Sequence, residues 1–370
     1  MGEELKTKVY KIQLTPLEPY TFGTDQGLPF NGIENNSGKE SYYVLSKTVP
    51  EQTTIWGMLR YVMLQKANLV HDNFEYSRDD REKIKDLIGS ESFSFSKNEQ
   101  DFGRLCGISP IFLQDFEKKL YMKNPQNNKS TIGYDPIKME SATRWSSKGE
   151  IHFPEKGEYD AKEGTAQGWI RIEPLTKEEK QKKKKRVISM LVDKKLYTAI
   201  RKEGKDDAFF KREAFTMKKG YAFVVYAEVK EDQIPVFPQK TVCYMGAKKS
   251  AFEFEASMTD KNAIKEIVDD VSSQFKQDGP QWTIAISDIV LPTEEHQKYS
   301  DDFYIVSGRK IQNLETTYER MKGGYAKRLK RSKVQYNLLD SGSVFYETCS
   351  LTLNNANHKK LGYNYVITTK

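Results

Sequence analysis

The sequence predicts an α+β protein of two domains. Strand-like stretches outnumber helical ones, one clear amphipathic helix falls in each half, and 370 residues exceed what a single ordinary core accommodates. Low hydropathy and a 30% charged fraction coexist with 21 Tyr, 19 Phe and 4 Trp, which describes a folded chain with a heavily solvated surface.

The opening VYKIQLTPLEPYTF alternates imperfectly through Val9, Ile12, Leu14 and Leu17 and reads as a strand stopped by the Pro16–Pro19 turn. A polar Gly/Asn-rich loop follows over 23–39. In VPEQTTIWGMLRYVMLQKA, Thr53 or Thr54 is positioned to cap a helix whose apolar residues Ile55, Leu59, Val62 and Met63 share a face. Residues 77–150 mix a short charged helix over 77–88 with long irregular stretches. The block KEEKQKKKKR, 177–186, reads as solvated charge. An apolar strand, KGYAFVVYAEV, closes the first domain, and IPVFPQ with Pro235 and Pro238 marks the boundary, giving domains 1–235 and 236–370. The second half reads as strand–loop–strand in TVCYMGAKKSAFEFEA, a helix in NAIKEIVDDVSSQFKQ, and strands in QWTIAISDIVL, GSVFYETCSLTL and GYNYVIT.

Several function classes drop out on chemistry. No run approaches the ~20 apolar residues of a membrane span, and acids stand in the N-terminus where a signal peptide carries its charge-then-apolar pattern, so the expected location is the cytoplasm. Cys106, Cys243 and Cys349 outline neither a disulfide framework nor a metal knuckle. His71, His152, His296 and His358 show no metal-ligand spacing, and the Asp doublets read as solvated charge, so no metal, cofactor or small-molecule substrate is expected. No nucleophile elbow is present. The one surviving enzymatic alternative is metal-independent RNA cleavage with His71 or His152 as general base. The expectation is a protein without catalytic activity.

The 59 basic and 52 acidic residues leave a net charge of +7, concentrated in one place. Between Arg320 and Lys333, RMKGGYAKRLKRSK contains no acid, and Gly323 and Gly324 precede Lys327, Arg328, Lys330 and Arg331. Exposed amides beside guanidinium groups suit phosphate, and Tyr325 and Tyr336 supply stacking surfaces; the alternative is a solvated basic helix. Gly246 with Lys248 and Lys249 forms a basic turn between strands, and DDAFFKREAF sets Phe209 and Phe210 beside Lys211 and Arg212, which suits single-stranded RNA unless the phenylalanines are core.

Taken in order, LTPLEPYTFGTDQGLPF, VPEQTTIWGMLRYVML, DDAFFKREAFTMKKGYAFVVYAEV, YMGAKKSAF, DSGSVFY and LGYN resemble the RAMP-superfamily subunits that bind the repeat-derived 5′ handle of guide RNA in type III-B (Cmr) CRISPR complexes. Residues 89–170 and the 177–186 block lie outside the likeness. The resemblance implies two ferredoxin-like (RRM-like) RAMP domains with long loop insertions. It implies crRNA, the large polymerase-cyclase subunit and backbone RAMP subunits as partners; catalysis is not implied. Carried onto this sequence, it assigns handle contacts to Gln52, Thr53, Thr54 and Arg60, to the Gly246–Lys249 turn, and to the Gly323–Arg331 segment. A guide-processing endoribonuclease of the same superfamily and a scaffold without RNA contact are the rival expectations.

Overall fold

A computed structural model describes residues 6–29, 42–71, 76–90, 92–142, 151–160, 166–189, 191–201, 208–246, 249–291, 303–321, 324–346, 353 and 355–370. The first part of the chain contains β1 (Lys6–Pro16), β2 (Phe22–Pro29), β3 (Tyr42–Lys47), α1 (Gln52–Lys66), α2 (Arg78–Ile88), β4 (Leu105–Ile108), β5 (Phe112–Gln114) and β6 (Leu120–Lys123). Then come β7 (Met139–Ala142), β8 (Ile151–Pro154), β9 (Trp169–Arg171), α3 (Lys177–Gln181), β10 (Val187–Ile188), β11 (Val192–Arg201), β12 (Ala208–Met217) and β13 (Ala222–Glu231). The remainder is β14 (Lys240–Met245), β15 (Ser250–Met258), α4 (Ile264–Ser273), β16 (Trp282–Ala285), β17 (Ile289–Leu291), β18 (Tyr304–Ile305), β19 (Gly308–Met321), β20 (Gly324–Leu339), β21 (Val344–Tyr346), α5 (Ala356–Lys360) and β22 (Val366–Thr368). The fold is α+β, with most strands antiparallel.

The central sheet runs β10-β9-β6-β5-β13-β1-β15-β14, with β4 also paired to β13. Its middle is buried on both faces, which is why β13 reads AFVVYAEV without polar alternation. Phe223, Val225 and Ala227 join Tyr10, Ile12 and Leu14 of β1 and Phe252 and Phe254 of β15 beneath Ile55, Trp56, Leu59, Val62 and Met63 of α1. On the opposite face Val9, Phe112, Ile170, Val224 and Tyr226 meet Ile264, Ile267, Val268 and Val271 of α4. Helix α4 in turn packs with Trp282, Ile284 and Val344 from the four-stranded sheet β18-β21-β16-β22. The imperfect alternation in β1 is thereby explained, since Val9 serves one core and Ile12 and Leu14 the other; Leu17, past the strand, is 54% exposed.

The interval between Glu231 and Lys240, where the sequence suggests a domain boundary, lies between strands of one sheet: β13 and β15 both pair with β1, and β14 pairs with β15. The Thr53/Thr54 cap is corrected. Helix α1 begins at Gln52 with Glu51 in the extended cap position and no side-chain cap bond, its carboxylate being committed elsewhere. Helix α2 forms where the charged segment predicts it, started by a Ser77–Asp80 capping box. The 177–186 block is less uniform than solvated charge: Thr176 and Glu179 cap α3, Arg171 pairs with Glu179 at 2.7 Å, and Arg186 is 5% exposed, donating to the carbonyls of Arg171 and Ile172.

Two further sheets are separate from the central sheet in strand pairing, though their inner residues Phe22, Phe215, Val290, Ile311 and Leu338 join its core. One is β11-β12-β3-β2; the other is β17-β20-β19, in which β19 and β20 form a hairpin of 14 and 16 residues closing between Met321 and Gly324. The basic segment is therefore strand, not helix. Tyr318, Thr316 and Thr317 opposite it favour an extended backbone. A register shift between Gln312 and Leu314 divides the hairpin into a root and an outer part.

Candidate nucleic-acid interface

The start of α1 opens onto a cleft of about 480 Å³. Its walls come from the β3–α1 connection, the ends of β6 and β9, the segment after β16, and the root of the β19–β20 hairpin. Arg309 of β19 is its charged centre: Nη2 donates to both oxygens of Glu51 at 3.0 Å and also to Asp288, and Nη1 donates to Asp340. Lys47 pairs with the same Glu51. This cluster fastens the hairpin root to the start of α1, and it explains why Glu51 cannot fold back as a cap. Lys123 also lines the cleft, its ammonium 4.5 Å from the centroid of the Trp169 ring. Burial lowers its pKa from the ordinary lysine value, and Asp288 opposes that shift.

The sequence-assigned residues at this helix do different work. Gln52 is 4% exposed and its Nε2 donates to the carbonyls of Gly362 at 3.0 Å and Ser109 at 3.4 Å, tying α1 to two distant segments. Thr53 and Thr54 are half-buried. Arg60 turns away from the cleft, donating from Nη2 to the Ile88 carbonyl at 2.7 Å, where it closes the C-terminus of α2. Its guanidinium is desolvated there, which pulls its pKa down.

The hairpin organises the basic segment by register. Tyr325, Lys327, Leu329 and Arg331 alternate onto one face with cross-strand partners Arg320, Tyr318, Thr316 and Leu314, a set without an acid. Arg328 and Lys330 fall on the other, with Thr317 and Glu315 opposite them and Glu319 opposite Ala326. Gly324 begins β20. Gly323 and Lys248 lie outside the described residues, and of Lys327, Arg328, Lys330 and Arg331 only the backbone course is described.

From Ala208 on, the DDAFFKREAF segment is part of β12 rather than ahead of a strand, Asp206 and Asp207 lying outside the described residues, and strand alternation separates Lys211 from Arg212. Arg212 stacks 5.6 Å from the ring of its cross-strand partner Tyr197, which is 40% exposed. On the other face Glu213 accepts from the Tyr43 hydroxyl at 2.8 Å and pairs with Lys194. In the β14–β15 turn Gly246 has φ +79, and a Cβ there would sit 2.3 Å from the Thr21 carbonyl, so glycine is required by packing as well as by backbone conformation. Lys249 donates its amide to Gly246 at 3.1 Å and is exposed.

No family model matches this sequence, and no curated protein does. Two of the solved structures similar to this chain come from Cmr complexes. One is a chain from the type III-B Cmr-β complex bound to cognate target RNA, at 14% identity and TM-score 0.45, covering 96% of this chain and 96% of that one. Another is from the same kind of complex with target RNA and AMPPnP, at 14% identity and TM-score 0.46, covering 96% and 95%. At this level of superposition neither likeness assigns a function to the chain.

Among the described residues no group of three His, Cys, Asp or Glu is placed to hold a metal ion, and no helix is long and apolar enough to cross a membrane. His71 lies 3.9 Å from Asp80 and edge-on to Tyr76, while His152 packs against Tyr346. Sequence reading missed Lys123, Trp169, Gln126, Asp288 and Arg309. Lys123 and Gln126 share one stretch, Trp169, Asp288 and Arg309 come from three others, and no local motif marks any of them.

Proposed function

We propose that this chain is a non-catalytic RNA-binding subunit of a type III-B CRISPR ribonucleoprotein, holding the repeat-derived 5′ end of the guide RNA and bridging the large polymerase-cyclase subunit to the backbone filament. The ordered motif series in the sequence supports the family reading. The observation that carries RNA binding is the hairpin register: basic and aromatic positions share an acid-free face, and the glutamates of the outer hairpin fall on the other. Phosphates are neutralised by such a face while aromatic rings offer stacking, and a splayed single strand uses both. Arg212 stacked on exposed Tyr197 is a second surface of the same chemistry.

Register makes the test specific. Lys327→Ala with Arg331→Ala removes cations from the acid-free face, and Arg328→Ala with Lys330→Ala removes as many from the face that holds Glu315 and Glu319. Guide-RNA binding measured against salt should lose slope by about 0.7 per phosphate contact for the first pair. The second pair should lose less. Equal losses, or an unchanged slope in both, would show that the hairpin faces solvent or a protein. Incubation with unprocessed repeat RNA addresses the nuclease rival: a metal-independent product abolished by His71→Ala or His152→Ala would replace this reading.

A further inference from the structure

The cleft at the hairpin root is built for something other than phosphate. Its cations Lys47, Lys123 and Arg309 are matched by Glu51, Asp288 and Asp340, and all but Lys123 are engaged in the ion cluster. A phosphate pocket presents a surplus of donors and positive charge. This one cancels.

What the cleft has in surplus is hydrogen-bonding capacity of a neutral kind. The two carbonyls that accept from Gln52 Nε2 fix its amide orientation, so Oε1 is the remaining acceptor. That oxygen is buried and has no partner among the described residues. Gln126, 9% exposed, repeats the pattern: Nε2 reaches Ser307 Oγ at 2.9 Å and its buried Oε1 is unpartnered among the described residues. Buried polar atoms are nearly always satisfied, so unpartnered acceptors in two residues that line one cleft point to a donor that arrives from outside. Lys123 supplies the complementary group, a donor that makes no ion pair among the described residues, and Trp169 supplies an apolar aromatic wall.

We propose that this cleft receives one unpaired nucleobase bearing an exocyclic amino group, its N–H groups donating to Oε1 of Gln52 and Gln126 and a ring acceptor taking a hydrogen bond from Lys123. The inference rests on the RNA-binding reading and names the ligand class of its α1 site. A volume of about 480 Å³ falls within the range of small-ligand pockets. The cleft lies at the base of the arm carrying the acid-free face, since Gly308 starts β19 and Arg309 lines the cleft. A strand lying along the hairpin thus has its phosphates on the arm and one base in the cleft. Two open acceptors need two hydrogens. The amino group of adenine or cytosine provides them, whereas uracil offers a single ring N–H.

The test is calorimetric titration of the full chain with adenosine, cytidine and uridine, nucleosides chosen because they carry no phosphate. Adenosine and cytidine should bind at affinities insensitive to salt, and uridine about tenfold or more weakly, the cost of one buried acceptor left open. Lys123→Met and Gln126→Leu should each weaken adenosine about tenfold at unchanged melting temperature. Absence of binding at millimolar nucleoside, equal affinity for uridine, or variants that bind like the parent would each overturn the proposal. The salt slope of guide binding on Lys327 and Arg331 is read separately, so failure here and failure of the RNA-binding reading are distinguishable.

Discussion

Replacing Arg309 by Met should unfasten the hairpin root. Its side chain is 20% exposed and satisfies Glu51, Asp288 and Asp340, whose side chains are 12%, 17% and 33% exposed. Without it these carboxylates face one another with Lys47 as the remaining cation paired in the cluster. Removing one partner of a buried ionic group costs about 3–5 kcal/mol, and the partial exposure here favours the lower end. At about 2.1 cal/mol/K per residue, 370 residues unfold with an entropy near 0.8 kcal/mol/K, so a loss of about 3 kcal/mol lowers the melting temperature by about 4 °C. Urea unfolding and thermal melting read both quantities. Adding Asp288→Asn and Asp340→Asn to the Arg309→Met background should recover part of the loss, because uncompensated charge is the cause. A single-variant cost under about 0.5 kcal/mol, the scale of an exposed pair, would refute the reasoning, as would a neutralised background no more stable than the single variant.

His358 is 7% exposed, with Nε2 3.0 Å from the Phe95 carbonyl, and burial lowers its pKa below the ordinary histidine value. The unfolded chain therefore binds this proton at a pH where the folded chain does not, so stability is full above about pH 6.5 and falls as pH drops, with a slope of at most about 1.4 kcal/mol per unit from this group; His358→Gln should flatten a urea-midpoint profile between about pH 5 and 7. Gly246→Ala should destabilise by roughly 1–3 kcal/mol, through positive φ and the clash with the Thr21 carbonyl, and a neutral result in chemical denaturation would contradict the packing described. Cys243 is fully buried and its thiol is pushed up to about 12, so alkylation near pH 8 should leave it unmodified until denaturant is added.

Much of the architecture is written locally. The apolar spacing in α1, the charged run of α2 and the doubly apolar run of β13 each announce their element, because helix and strand periodicities are properties of neighbouring residues. The basic excess at 320–333 is equally plain in sequence. Its conformation is not, since alternating and helical placements of KRLKR are both open until β19 supplies a partner strand. Gly246 illustrates the same limit: the glycine is visible in the sequence, but the Thr21 carbonyl that demands it is brought up from the other end of the chain.

Residue order is enough to establish that the protein is α+β, where its principal helices lie, and that its positive charge is concentrated in one segment. Long-range packing was needed to establish that β14 and β15 complete the sheet begun by β1, that the basic segment is sorted into an acid-free face and a mixed one, and that Gln52, Lys123, Gln126, Trp169 and Arg309 share one cleft. Secondary structure answers to residues a few positions apart, whereas strand partners and shared clefts are settled by the burial and hydrogen bonding of segments hundreds of residues distant.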